Sequence, residues 1–226
     1  MPAPFDYSAG VSHMAHKFRA IRGLPLGTVL ETKARLPVYF LNDADAFGLG
    51  VGWRQLPDMK RFVALTIGTG LGSGFIENGR AVTSGDQVPP DGEVWNLPYG
   101  DGILEDHVSA RAVTTSYGTR SDGTGKTARE VSALAAEGDA VSVAAFRAMG
   151  EALGSGLVPL LVRFEPEAIV IGGKVGQSLE LFAPAMRQAL AGAGLPNLPV
   201  IPAAPGNMAI WGAARHAFTA DSGAAA

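Results

Sequence analysis

Phe62-Val-Ala-Leu-Thr-Ile-Gly-Thr-Gly-Leu-Gly-Ser-Gly-Phe-Ile-Glu-Asn-Gly-Arg80 is the stretch on which the fold turns. The apolar run Phe62 to Ile67 predicts a buried strand, and Gly72 to Glu77 predicts a second strand after it. Asn78-Gly79 is a hairpin signal, because a type I′ turn needs positive φ at both central residues. Thr66-Ile67-Gly68-Thr69-Gly70 is then a tight turn between two strands. Glycines there let backbone N–H groups approach an anion closely, and Thr69 adds a hydroxyl donor, an arrangement that suits a phosphate. A plain glycine hairpin fits the same residues equally well. The run is not a dinucleotide fingerprint, because Ser73 or Phe75 stands where the third glycine belongs.

Upstream, Leu26 to Arg35 predicts a short helix ended by Pro37, since the residue before a proline avoids the α region. Val38-Tyr39-Phe40-Leu41 predicts a short buried strand. Asn42-Asp43-Ala44-Asp45 supplies small polar residues suited to a strand end and a helix start. Ala44, Ala46, Gly48 and Gly50 predict a closely packed helix after it. Downstream, residues 84–102 carry Gly, Pro and Asp at intervals and read as a long surface loop, of a length often used for function. Ile103 to Tyr117 predicts a helix, and Thr127-Ala-Arg-Glu130 is a capping box.

Ala140 to Phe164 predicts a long helix whose Val141, Ala145, Met149, Leu153, Leu157 and Leu160 form a core stripe. A strand from Ala168 to Ile171 runs into Gly172-Gly173. A helix from Leu179 to Ala191, a strand from Leu198 to Ile201 and a helix from Asn207 to Phe218 follow, with Asn207 as N-cap and Ser222 to Ala226 as a frayed tail. Strands alternate with helices, so the class is α/β.

Composition narrows the function classes. The chain has 226 residues, 47% of them hydrophobic and 17% charged, as in an ordinary globular protein. A net charge of -3 without a basic run offers nucleic acid no general attraction. The absence of cysteine excludes disulfides and thiolate metal sites. No uninterrupted run of about 20 apolar residues suggests a membrane span, and Met1 to Gly10 lacks the basic start and apolar run of a signal peptide. The expectation is a soluble cytoplasmic protein. Gly125-Lys126-Thr127 resembles the end of a P-loop, but Arg120 stands where that motif needs glycine, and a probable helix precedes it in place of a strand.

Two further groups of residues carry candidate chemistry, and the histidines do not. Asp43 could accept the proton of a substrate hydroxyl while the Asn42 amide holds that substrate; alternatively Asp43 simply caps the next helix. Glu93, Asn96 and Glu105 flank or lie in the 84–102 loop, where carboxylates and amides can each bridge two adjacent hydroxyls; a solvated acidic loop is the alternative. His13, His16, His107 and His216 are scattered without a third ligand, so they read as structural or surface residues.

The order of these features resembles the ROK family of sugar kinases and related regulators: Asn-Asp after a strand, the Thr-Ile-Gly-Thr-Gly-Leu-Gly hairpin with Asn-Gly, Asp-Gly-Glu, Gly-Ile-Leu-Glu, then Ile-Val-Ile-Gly-Gly. The resemblance runs from about Pro4 to Phe218. It implies a two-lobed α/β fold of the actin-like and hexokinase-like ATPases, with 1–58 as the remnant of an N-terminal lobe, 59–206 as a C-terminal lobe and 207–226 as a returning helix and tail. It implies Asp43 as general base and Asn42, Glu93, Asn96 and Glu105 as sugar ligands. Gly68, Thr69 and Gly70 resemble the second phosphate loop, and Gly172 and Gly173 the adenosine-side loop. ATP with Mg²⁺, a hexose substrate and a possible homodimer are implied; nucleic acid and membrane partners are not.

Three departures from the family pattern follow. No Asp-x-Gly-Gly-Thr loop precedes Asn42, which implies an incomplete opening sheet. Tyr99-Gly-Asp-Gly-Ile-Leu-Glu105 lacks the family's zinc cysteines, and Asn96 stands where members carry a histidine, so the resemblance points to a zinc-free branch. The expected activity is glucokinase-like phosphorylation of a hexose hydroxyl. The alternative is a non-catalytic sugar-binding sensor or regulator of the same family.

Overall fold

The computed structural model describes residues 1–2, 4–15, 18–121 and 125–224. In chain order the elements are β1 (Phe5–Asp6), β2 (Val11–Ser12), α1 (Leu26–Ala34), α2 (Asp43–Arg54), β3 (Arg61–Ile67), β4 (Leu71–Glu77), β5 (Arg80–Ala81), β6 (Pro98–Tyr99), β7 (Gly102–Ile103), α3 (Leu104–His107), α4 (Ala110–Arg120), α5 (Ala128–Ala136), α6 (Ala140–Phe164), β8 (Ala168–Gly172), α7 (Leu179–Gly192), β9 (Val200–Pro202) and α8 (Met208–Ala224).

The predicted hairpin forms the centre of the main sheet. β3 and β4 pair antiparallel from Arg61↔Glu77 to Ile67↔Leu71, so the turn is Gly68-Thr69-Gly70. The five strands run in the order β5-β4-β3-β8-β9, with β3, β8 and β9 parallel. Along β3 the side chains alternate between two cores, as the strand's two-residue period requires. Val63, Leu65 and Ile67 join Phe146, Leu153 and Leu157 of α6 and Phe182 and Met186 of α7. Phe62 and Ala64 join Phe47 and Val51 of α2 and Met208 of α8. The sheet is therefore the middle layer of three, with α2 and α8 on one side and α6 and α7 on the other.

Both helical layers follow from residue size and pattern. A Cβ on Gly50 would collide with the Met208 carbonyl oxygen, and one on Gly212 with that of Ala46, so α2 and α8 cross nearly backbone to backbone. Trp53 and Trp211 meet edge to face at 5.8 Å on the rim of that contact, with the Arg54 guanidinium 4.7 Å over the Trp211 ring. The 25-residue α6 is long and apolar enough, by length and composition alone, to cross a bilayer. Its burial against the sheet makes it a core helix.

Several expectations need correction. Val38 to Leu41 lies outside any strand. An apolar run becomes a strand only beside an edge that takes its hydrogen bonds; here the Met1 ammonium donates to the Leu41 carbonyl (2.8 Å), the Val38 N–H donates to Glu31 Oε1 (3.3 Å), and the Phe40 ring packs on Phe5 at 5.1 Å. The helix expected over Ile103 to Tyr117 is two helices. Ser109 adopts an extended backbone and its hydroxyl accepts from the Ala112 N–H (3.2 Å), so α4 starts afresh after α3. The 84–102 loop carries a 3-10 turn at Pro90–Gly92 and the small β6–β7 ladder. The terminal helix runs on to Ala224, beyond the expected end at Phe218 and into the stretch expected to fray. The Thr127 box forms as expected, with the Thr127 N–H donating to Glu130 Oε2 at 2.7 Å.

Candidate functional site

Helix α2 begins with polar residues, Asp43 and Asp45 in its first turn. Asn42 is its N-cap: the side-chain carbonyl accepts from the Ala44 N–H at 2.7 Å, and the amide donates to the Tyr7 hydroxyl at 3.3 Å. The capping role expected as the alternative for Asp43 belongs to Asn42. Asp43 is the first helical residue, exposed to solvent, at the end of α2 where the helix dipole favours negative charge. Ala44 packs on the glycines of β4, since a Cβ on Gly72 would lie 3.0 Å from its methyl and one on Gly74 would lie 2.9 Å from its carbonyl oxygen. Those glycines let α2 settle beside the hairpin turn.

The loop after β5 is tied to the same place by a buried serine. Ser73 of β4 donates its hydroxyl to the Gly92 carbonyl (2.6 Å) and accepts from the Val94 N–H (3.1 Å), bracketing Glu93. Glu93 accepts from the Trp95 indole N–H at 2.6 Å. Burial raises its pKa, the Trp95 bond opposes that shift, and the Asp91 and Asp43 charges add to it. Tyr7, held between Asn42 and the Met1 carbonyl, is pushed up to about 12, chiefly by burial, so it stays a hydroxyl at neutral pH.

Asp45 was not among the expected site residues, yet it is the most perturbed group there. It is 6% exposed, and its Oδ1 is buried without a hydrogen-bond partner. Burial, then the charges of Glu93 and Asp43, raise its pKa to about 7. A folded pKa above the unfolded value near 3.8 means that Asp45 costs nothing when protonated in both states at low pH. Stability is then lost as pH rises from about 4 to 7, by on the order of 4 kcal/mol. Thermal unfolding should show Asp45→Asn more stable than the parent at pH 8, with the gap closing towards pH 4. Equal melting temperatures at pH 8 would contradict the burial argument.

Glu105 reaches the hairpin turn rather than open solvent. Its Oε2 accepts from the Leu71 N–H at 2.8 Å, and a Cβ on Gly70 would strike that carboxylate. Its own N–H donates to the Trp95 carbonyl (3.0 Å), which ties the Glu93 loop to the turn. Gly68 donates to the Gly70 carbonyl (3.0 Å) and accepts from the Ala110 N–H (2.8 Å). Thr69 and Gly70 are the members of the turn whose N–H groups these bonds do not take up. The space beside Gly68 is open, with nothing within 4 Å of a Cβ there.

Gly172 pairs with Thr66 at the end of β8, and Gly173 follows at φ +87°, where any Cβ would meet the Ile67 backbone. The Val175 N–H donates to the Ile67 carbonyl at 2.9 Å. Both glycine turns therefore leave the same end of the sheet side by side. Asn96 stands apart: it is exposed on the turn after Trp95, and no described polar contact joins it to Asn42, Asp43 or Glu93. Among the described residues no three His, Asp or Glu side chains gather to hold a metal ion. His107 packs on Tyr99 at 5.0 Å and His216 on Tyr39 at 6.3 Å, while His16 lies outside the described residues.

A family model described as the ROK family matches residues 1–214. The chain belongs to the ROK family. Over 200 residues this ROK chain is 27% identical to a glucokinase of Halalkalibacterium halodurans, covering 78% of this chain and 61% of the relative. A xylose repressor of Caldicellulosiruptor bescii is 26% identical over 190 residues, covering 75% of this chain and 48% of the repressor. The crystal structure of a glucokinase from Parabacteroides distasonis superposes with a TM-score of 0.85 at 25% identity, covering 97% of this chain and 79% of that one. The fold is thus the hexokinase-like α/β fold of ROK kinases, and the chain spans about three-fifths of the length of the glucokinase relative.

Proposed function

We propose that this ROK chain binds a hexose and takes part in its ATP-dependent phosphorylation. The observation that carries the proposal is the convergence of Asp43, at the positive end of α2, with Glu93 and with the glycine turn that Glu105 braces. In this reading Asp43 accepts the proton of the attacking sugar hydroxyl, while Asn42 and Glu93 orient the neighbouring hydroxyls. Glu105 and Asn96 are proposed on the sugar side as well, Glu105 chiefly through its hold on the turn.

ATP supplies the phosphoryl group when bound. The open space at Gly68, the exposed Thr69 hydroxyl and the positive φ of Gly173 fit phosphate and nucleotide at the two turns. Mg²⁺ is proposed to arrive with the nucleotide, since these side chains offer it no cage of their own. Because α2 and α8 pack on the main sheet, residues 43–224 are read as one lobe and the residues before them as the remnant of the other. A location in the cytoplasm accords with such a substrate.

A second reading has its own support. The Leu71 N–H, directly after the candidate phosphate turn, is already occupied by Glu105, and a repressor is among the relatives. A sugar-binding regulator needs no phosphate donors there. Titration calorimetry with glucose, followed by ATP with Mg²⁺, separates the two: the kinase reading expects heat from both ligands and a sugar phosphate as product. Heat from glucose alone favours the regulator. No heat from any hexose overturns both.

A further inference from the structure

The backbone on either side of Glu93 is pinned at several points. Ser73 takes the Gly92 carbonyl and the Val94 N–H, the Glu105 N–H donates to the Trp95 carbonyl (3.0 Å), and the Leu97 N–H donates to the Val94 carbonyl (3.2 Å). Those bonds leave the carboxylate itself free to swing, because a glutamate has several rotatable bonds between its backbone and its oxygens. What holds it is the Trp95 indole, whose Nε1–H donates to Oε2 at 2.6 Å. Among the described residues that is the carboxylate's one hydrogen bond, and Oε1 is left as an acceptor on a half-buried side chain. Trp95 is 37% exposed, and among the described residues no aromatic ring packs on it. The other two tryptophans, Trp53 and Trp211, pack on each other, with Trp53 at the opposite end of α2 from Asp43. An indole left at the surface with its N–H spent on a carboxylate is oriented by that bond more than by packing.

We propose that Trp95 is the positioning residue for Glu93: by holding Oε2 it fixes where Oε1 meets a sugar hydroxyl before the sugar arrives. The proposal rests on the hexose reading above, in which Glu93 is a sugar ligand, and adds a residue that acts through it. A carboxylate already fixed loses less freedom when the sugar binds, so the effect falls on sugar affinity and not on the fold.

Trp95→Phe keeps an aromatic ring and the backbone carbonyl that holds Glu105, and removes the N–H. In calorimetric titration with glucose its affinity is expected to fall about tenfold, the size of one hydrogen bond to a charged group, with the melting temperature unchanged. In a Glu93→Ala background the same substitution is expected to change glucose affinity by less than about twofold, because no carboxylate remains to position. A merely structural tryptophan would cost the same in both backgrounds. In the wild-type chain, glucose should also change the tryptophan emission, and Trp95→Phe should lose that change. Equal glucose affinity in Trp95→Phe, or an equal loss in both backgrounds, overturns the positioning role and leaves the hexose reading in place. So does glucose binding that leaves the wild-type emission unmoved, a result that needs no variant to fold. Binding of no hexose by the wild-type chain overturns both.

Discussion

On the proposed kinase function, Asp43→Asn is expected to lower the rate of ATP-dependent sugar phosphorylation by about 10²- to 10⁴-fold while changing hexose affinity only slightly. Asparagine keeps the size of the side chain and its place in the first turn of α2, but it cannot take up a proton. The fold should tolerate the change, because the helix is capped by Asn42 and the Asp43 side chain is exposed. Losing the charge also relieves the repulsion that Asp43 exerts on Asp45 and Glu93. The measurements are kcat and KM for the sugar, beside a binding titration. A fall in kcat with KM nearly constant marks a group that acts in the transition state. Undiminished turnover would put the base elsewhere, and lost sugar affinity with normal turnover would make Asp43 a binding group.

Gly212→Ala is expected to destabilise the protein by about 3 kcal/mol or more, and Gly50→Ala similarly, because overpacking a backbone-to-backbone contact forces whole helices apart. Each added methyl would meet a carbonyl oxygen of the facing helix, of Ala46 or of Met208, and neither can rotate away as a side chain would. Separating α2 from α8 would also loosen the contacts of Phe47, Val51 and Met208 with the sheet. Gly192→Ala is the matched control: it ends α7 with nothing within 4 Å of its Cβ position, so alanine there should be neutral or mildly stabilising. Urea denaturation of the three variants decides the matter. A loss below about 1 kcal/mol at Gly212 would mean that the two helices part easily.

The main sheet was legible because its signals were local. The apolar run Phe62 to Ile67 and the glycine turn are written in consecutive residues, as is the Thr127 box. Misreadings came where the outcome depended on distant partners. Val38 to Leu41 has strand-like residues, but strand formation depends on a neighbouring edge that no local pattern specifies. The break at Ser109 did carry a signal, a serine able to cap the helix that follows it.

The site was legible in part. Asn42, Asp43 and Glu93 are small or acidic residues at an element boundary and in a long loop, where chemistry is expected. Asp45 was hidden because it looks like one more polar residue in a helix start, and only the packing of α2 on β4 reveals that it is buried. Ser73 was noticed only as the residue that spoils a glycine pattern, although its hydroxyl fixes the Glu93 loop. Tyr7 lies in a stretch with no periodicity, and its link to Asn42 spans 35 positions.

The crossing of α2 on α8 also governs how the protein emerges from the ribosome. Helix α2 is made early, with Ala44 through Val51 destined for burial, but the helix that covers it starts only at Met208. Until Met208 is made, therefore, one face of the sheet layer lies open while the α6–α7 face can already close. Such late, long-range closure slows folding and leaves nascent chains sticky. Chain made only as far as Gly206 should thus be the form that chaperones retain, and release should follow once Gly212 has found Gly50.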